Sequence, residues 1–156
     1  GRQWFSIPRF DGSTEVEAVV AMNKAANDLN AFLDARLAEE GLGPEALVLV
    51  GFSQGAMMSL HVAPRRDVPV AAVVAISGKL MRPGTLAMEM KVRMPVLLIH
   101  GDRDEMVPFG EMQAAGNALV QNDFPTYAHV MKGSGHGIAP DGLQAALGFI
   151  LQHFPK

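Results

Sequence analysis

The pentapeptide Gly51-Phe52-Ser53-Gln54-Gly55 constrains this chain more than any other segment. It sits between an unbroken apolar run, Leu47-Val48-Leu49-Val50, and the apolar helical pattern Ala56-Met57-Met58-Ser59-Leu60. The run has the length and branching of a buried strand, the pattern after it has a helical period, and the chain must turn sharply between them. Glycines two before and two after the serine are expected to relieve the crowding of such a turn. The arrangement reads as a nucleophile elbow. It lifts Ser53 Oγ to the end of the strand, beside the positive end of the following helix, where a developing oxyanion would be stabilised. An ordinary glycine-flanked turn is the competing reading of the pentapeptide taken alone.

A serine nucleophile needs a base, and the base needs an orienting carboxylate. Met94-Pro95-Val96-Leu97-Leu98-Ile99-His100-Gly101-Asp102-Arg103-Asp104-Glu105-Met106-Val107-Pro108 is an apolar strand opening into a short acidic turn closed by proline, with Asp104 as the candidate acid. Tyr127-Ala128-His129-Val130-Met131-Lys132-Gly133-Ser134-Gly135-His136-Gly137 is a strand entering a glycine-rich loop, with His136 as the candidate base. The order Ser53, Asp104, His136 is that of α/β-hydrolases and of neither other familiar serine triad. His100, Asp102, Asp104 and His136 also admit a hydrolytic metal site, but that reading leaves the Ser53 elbow unexplained. No metal and no cofactor are therefore expected. His100, at a strand end, reads as a turn-stabilising hydrogen-bond partner, and His61, His129 and His153 read as structural.

Gly-Phe-Ser53-Gln-Gly, His100-Gly-Asp-Arg-Asp104-Glu-Met-Val-Pro108 and Gly-Ser-Gly-His136-Gly together resemble the phospholipase/carboxylesterase family, which includes the acyl-protein thioesterases. Gly1-Arg2-Gln3-Trp4-Phe5 resembles that family's aromatic segment ahead of the long helix before the elbow, so the likeness runs along nearly the whole chain. The resemblance implies Ser53 as nucleophile, Asp104 rather than Asp102 as acid, His136 as base and the Gln54 backbone N–H as an oxyanion donor. It also implies hydrolysis of esters or thioesters with small to medium acyl groups. Met81, Met88, Met90 and Met94 bracket the loop that borders the acyl pocket in the resembling fold. Methionines most often fill core gaps, but a pliable lining formed by Met88 and Met90, with Trp4, is the functional alternative.

The family also carries upstream strands and a His-Gly-x-Gly turn that supplies a second oxyanion donor, and nothing in this chain matches it. Losing one such donor costs about 10²–10³ in turnover, so the isolated chain is expected to be a weak catalyst. Leu47 to Val50 is apolar on both faces, as in an interior parallel strand, and carries no lysine, proline or bulge to protect an edge. A complementary N-terminal segment or chain is therefore expected in the functional protein, with a homodimer as the other form of association. Gly1 in first position is consistent with a cut. The rival to an enzyme is a fragment or subunit that keeps the triad residues as scaffold and acts through association.

The chain has 156 residues, 49% hydrophobic and 19% charged, with a net charge of −3, which fits one soluble domain and points away from nucleic acid; the resemblance implies that this is a partial α/β-hydrolase domain. It has no cysteines, which excludes disulfides and thiol catalysis and makes a reducing, cytoplasmic setting the default expectation. The apolar runs at 46–52, 68–76 and 94–99 fall far short of the roughly 20 residues that span a bilayer. A Thr14-Glu-Val-Glu17 capping box opens a helix over about 15–40, which Gly41-Leu-Gly-Pro44 ends. Its inner face reads as Met22, Ala26, Leu29, Leu33 and Leu37, and it is expected to cover one sheet face. After the elbow helix come a strand near 70–76, an irregular stretch at 78–93, a strand at 95–100, a helix near 109–121, a strand at 126–131 and a helix at 140–153. This alternation predicts a mostly parallel sheet flanked by helices, with the catalytic loops at the strands' carboxyl ends.

Overall fold

The computed structural model describes residues 14–154, so the opening aromatic segment with Trp4 lies outside the described residues. The chain divides into two compact units, 1–42 and 43–156.

Among its described residues the first unit holds one helix, α1 (Glu15–Glu40). Thr14 Oγ1 accepts the Glu17 N–H at 3.1 Å, and its own hydroxyl donates to the Glu17 carboxylate at 3.0 Å, a variant of the expected capping box. Gly41 ends the helix at φ 66, and the Leu42 N–H reaches back to Leu37 O at 3.0 Å. A left-handed residue here suits glycine, which pays no Cβ penalty for it. Met22 and Leu33 of the expected inner face are buried, as is Ala25, whereas Ala26, Leu29 and Leu37 are half-buried. Lys24–Asp28 and Arg36–Glu40 ion pairs lace the solvated side.

The second unit follows the expected alternation. Its elements are β1 (Val48–Phe52), α2 (Gln54–Val62), β2 (Ala72–Ile76), α3 (Leu86–Glu89), β3 (Val96–Gly101), α4 (Gly110–Gln121), β4 (Thr126–Met131) and α5 (Pro140–His153). The four strands are all parallel, in the order β1-β2-β3-β4, with Phe52 opposite Ile76 and Ile76 opposite Ile99. β2 and β3 are buried at every residue, as continuous runs of Val, Ile, Leu and Ala dictate for strands covered on both faces. On one face Ala72, Val74, Ile76, Leu97, Ile99 and Met131 pack with Ala146 and Phe149 of α5. Each large aliphatic side chain buried this way contributes roughly 1.5–3 kcal/mol. Gly142 lets α5 settle on β4, because a Cβ there would strike Met131 Sδ.

β1 pairs only with β2 among the described residues, and its Val50 and Phe52 are 52% and 39% exposed. Among the described residues an interior-type strand thus stands at the sheet edge. The stretch between β2 and β3 is organised from outside: Arg65, in the short turn that follows α2, binds the Glu89 carboxylate at 2.9 Å, Thr85 Oγ1 at 3.2 Å and, four residues back, His61 O at 2.9 Å.

Candidate active site

The elbow forms where β1 gives way to α2. Ser53 has φ 56 and ψ −117, a conformation that non-glycine residues rarely adopt, and its N–H is held by Ile76 O of the neighbouring strand at 2.8 Å. Gly51 is indispensable to this turn, because a Cβ on it would collide with the backbone of Gly55 and Ala56. Gly55 is different. A Cβ there would meet nothing within 4 Å, so the expectation that both flanking glycines relieve crowding holds for the first and is corrected for the second. Gly78, after the equally left-handed Ser77, lies close under the turn, where a Cβ would stand 3.1 Å from Ser53 O. Gln54 opens α2, so its backbone N–H stands at the positive end of the helix dipole, next to Ser53.

The three expected side chains come from the carboxyl ends of three strands and meet. His136 Nε2 lies 3.0 Å from Ser53 Oγ, and His136 Nδ1 lies 2.8 Å from Asp104 Oδ2. With the Nδ1 proton donated to Asp104, Nε2 is left as an acceptor aimed at the serine hydroxyl. The Asp104 side chain is wholly buried, and its other oxygen accepts the N–H groups of Met106 at 2.9 Å and Val107 at 2.8 Å. Burial pushes this carboxyl's pKa up. The hydrogen bonds from His136, Val107 and Met106 together outweigh burial and hold it below its ordinary value. Asp104 therefore stays ionised opposite the imidazole.

The remaining polar residues find other work. His100 Nε2 pairs with Val107 O at 2.9 Å and fastens the acid turn, with Asp104 Oδ2 at 3.4 Å. Asp102 Oδ1 accepts the Gly133 N–H at 2.7 Å, an interaction the sequence did not advertise. Among the described residues no group of three or more His, Asp or Glu side chains converges as metal ligands would. The Phe52 ring, at 4.9 Å between centroids, leans on the His136 imidazole. That contact too was illegible in sequence, although a residue directly before the elbow serine was the place to look. Of the methionines around the Ser77–Arg93 stretch, Met81 and Met94 are core fillers, Met90 is half-buried and Met88 is 87% exposed. A groove between α4 and β4, lined by Leu98, Phe109, Met112, Val120, Tyr127 and Val130, includes neither Met88 nor Met90 and none of the three meeting side chains.

The sequence model of the phospholipase/carboxylesterase family matches residues 1–154. The chain belongs to that family. Acyl-protein thioesterase 1 of Saccharomyces cerevisiae is 30% identical over 94% of this chain and 66% of its own length. Esterase YpfH of Escherichia coli is 28% identical over 100% of this chain and 65% of its own length. The chain thus spans just under two thirds of these family members. Among solved structures, esterase PE8 superposes with a TM-score of 0.91 at 38% identity, covering 98% of this chain and 71% of that one. SOBER1 of Arabidopsis thaliana gives 0.85 at 25% identity, covering 99% and 75%. The family's α/β-hydrolase fold is present here as a parallel four-stranded sheet flanked by helices.

Proposed function

We propose that this chain carries the catalytic triad of a serine hydrolase that cleaves carboxylic ester or thioester bonds of small to medium acyl groups. The observation that carries the reading is the hydrogen-bonded series Ser53 Oγ, His136, Asp104, with the carboxylate buried and ionised and the serine held in a strained turn. Ser53 Oγ attacks the acyl carbonyl while His136 Nε2 takes its proton. Asp104 holds the imidazole in the required tautomer and stabilises the imidazolium. The Gln54 N–H, at the start of α2, faces the oxyanion. His136 then protonates the leaving alcohol or thiol, and water, deprotonated by the same imidazole, releases the acyl group from Ser53. The sequence likeness to an acyl-protein thioesterase and to an esterase supports both substrate classes.

In this reading residues 1–156 form a single partial α/β-hydrolase domain whose second oxyanion donor comes from a complementary N-terminal segment or chain. The exposed apolar side of β1 supports that part of the proposal. It equally supports the alternative, an association module in which the triad residues are scaffold.

The experiment is intact-mass analysis before and after a fluorophosphonate, which modifies activated serines. One adduct in the wild-type chain and none in Ser53→Ala is expected, with ester turnover abolished in that variant. Substantial esterase activity remaining in Ser53→Ala would sink the assignment, and a wild-type chain that takes no adduct would favour the association module.

A further inference from the structure

The loop that carries His136 is fastened to the acid turn at three successive residues. Asp102 Oδ1 accepts the Gly133 N–H at 2.7 Å, the Arg103 N–H donates to Ser134 O at 2.9 Å, and Asp104 Oδ2 pairs with His136 Nδ1 at 2.8 Å. Beneath them the two segments touch directly, since a Cβ on Gly101 would collide with the carbonyl oxygens of Ser134 and Gly135. The Arg103 bond is made by backbone atoms that any residue would supply, and the Asp104 bond belongs to the triad. The Asp102 bond depends on one side chain that the triad does not use.

Gly133, Gly135 and Gly137 leave the loop with the widest backbone freedom that a chain can have. Gly133 itself takes φ 74 at the point where the chain leaves β4, so the direction of everything after it is set at that residue. A loop this free does not aim an imidazole by its own propensity. Fixed points outside it must do so, and Asp102 supplies the first of them.

We propose that Asp102 is a positioning residue for His136: by accepting the Gly133 N–H it sets where the 133–137 loop departs from β4, and so aligns the imidazole between Asp104 and Ser53. This rests on the reading of Ser53, His136 and Asp104 as the reacting groups. The role requires an acceptor at Oδ1 and no charge, so asparagine can fill it and alanine cannot.

The test compares the full chain with Asp102→Ala and Asp102→Asn by two readouts. The first is the His136 Nδ1–H proton resonance, which needs no catalysis, and the second is the rate of fluorophosphonate labelling at Ser53. Asp102 is exposed, so both variants are expected to keep the wild-type circular dichroism and Tm. In Asp102→Ala the resonance broadens or disappears and labelling slows about 10–100-fold, the loss expected when a reacting group shifts by up to about 1 Å. In Asp102→Asn most of both is recovered. Asp102→Ala with a wild-type resonance overturns the proposal. So does Asp102→Asn as impaired as Asp102→Ala, or a wild-type chain without the resonance. A wild-type chain that never labels, while its resonance still responds to Asp102→Ala, sinks the reading of Ser53 and leaves the positioning role standing.

Discussion

Gly51 and Gly55 flank Ser53 symmetrically in sequence and asymmetrically in space, and exchanging each for alanine should have opposite effects. At Gly51 a Cβ would meet the carbonyl group of Gly55 and the nitrogen of Ala56, all of them backbone atoms, so no side chain can swing aside. β1 and α2 must then part. Overpacking of this kind costs about 1–3 kcal/mol. At about 2–4 °C per kcal/mol for a chain of this size, Gly51→Ala should lower Tm by about 2–12 °C. The same movement carries Ser53 with it, and a misplacement near 1 Å costs about 10²-fold in rate. Gly55 lies inside α2 with open space around the position of a Cβ. Alanine there gains roughly 0.5–1 kcal/mol of helix propensity, so Gly55→Ala should raise Tm by about 1–4 °C. Thermal melts followed by circular dichroism, with fluorophosphonate labelling rates, read both effects. A Gly51→Ala chain that melts with the wild type, or a Gly55→Ala chain that falls as far as Gly51→Ala, would refute the account of the elbow.

Two further outcomes follow from buried polar groups. Burial, helped by the Arg65 charge, pushes the His61 pKa down from 6.5 to about 4. This folded-state value lies below the unfolded one, so His61 leaves stability intact above pH 6.5 and erodes it by up to about 1.4 kcal/mol per unit as pH falls towards 4. Urea midpoints at pH 7 and pH 4.5 should differ less in His61→Leu than in the wild type, and an unchanged difference would refute the assignment. Arg65→Met strips hydrogen bonds from Glu89, Thr85 and His61 O at a cost of about 1–3 kcal/mol, so limited proteolysis between Arg82 and Val92 should accelerate. Cleavage at the wild-type rate would show that the segment is held by something else.

The layout of the sheet was legible because period and punctuation agree along this sequence. Val96 to Gly101 is an apolar run opened by Pro95, Thr126 to Met131 is a stretch of strand-favouring residues opened by Pro125, and Pro140 begins α5 where a first-turn proline is tolerated. The meeting of Ser53, Asp104 and His136 was legible for a related reason: each sits just past a strand, and parallel strands deliver their carboxyl ends to one rim. Contacts set by the third dimension were not legible. That Gly51 is tight and Gly55 open depends on how the helix folds back over the strand. That Asp102 reaches Gly133 depends on β3 and β4 being neighbours, and that Arg65 organises the segment around Glu89 depends on a contact across 24 residues. Met88, set beside Met90 by sequence alone, is left in solvent because α3 is a single short turn with only one buried residue, Leu86.

The left-handed backbone of Ser53 bears on how such a site persists over evolutionary time. A residue with a side chain costs about 1–3 kcal/mol in that conformation, whereas glycine adopts it freely. The most stable occupant of position 53 is therefore one that cannot react. Random substitution in a chain released from selection on chemistry would drift towards that occupant, since most proteins have only a few kcal/mol of stability to spare. On the proposed reading, the hydroxyl at position 53 is held against that gradient, facing an imidazole whose partner is an ionised, buried carboxylate.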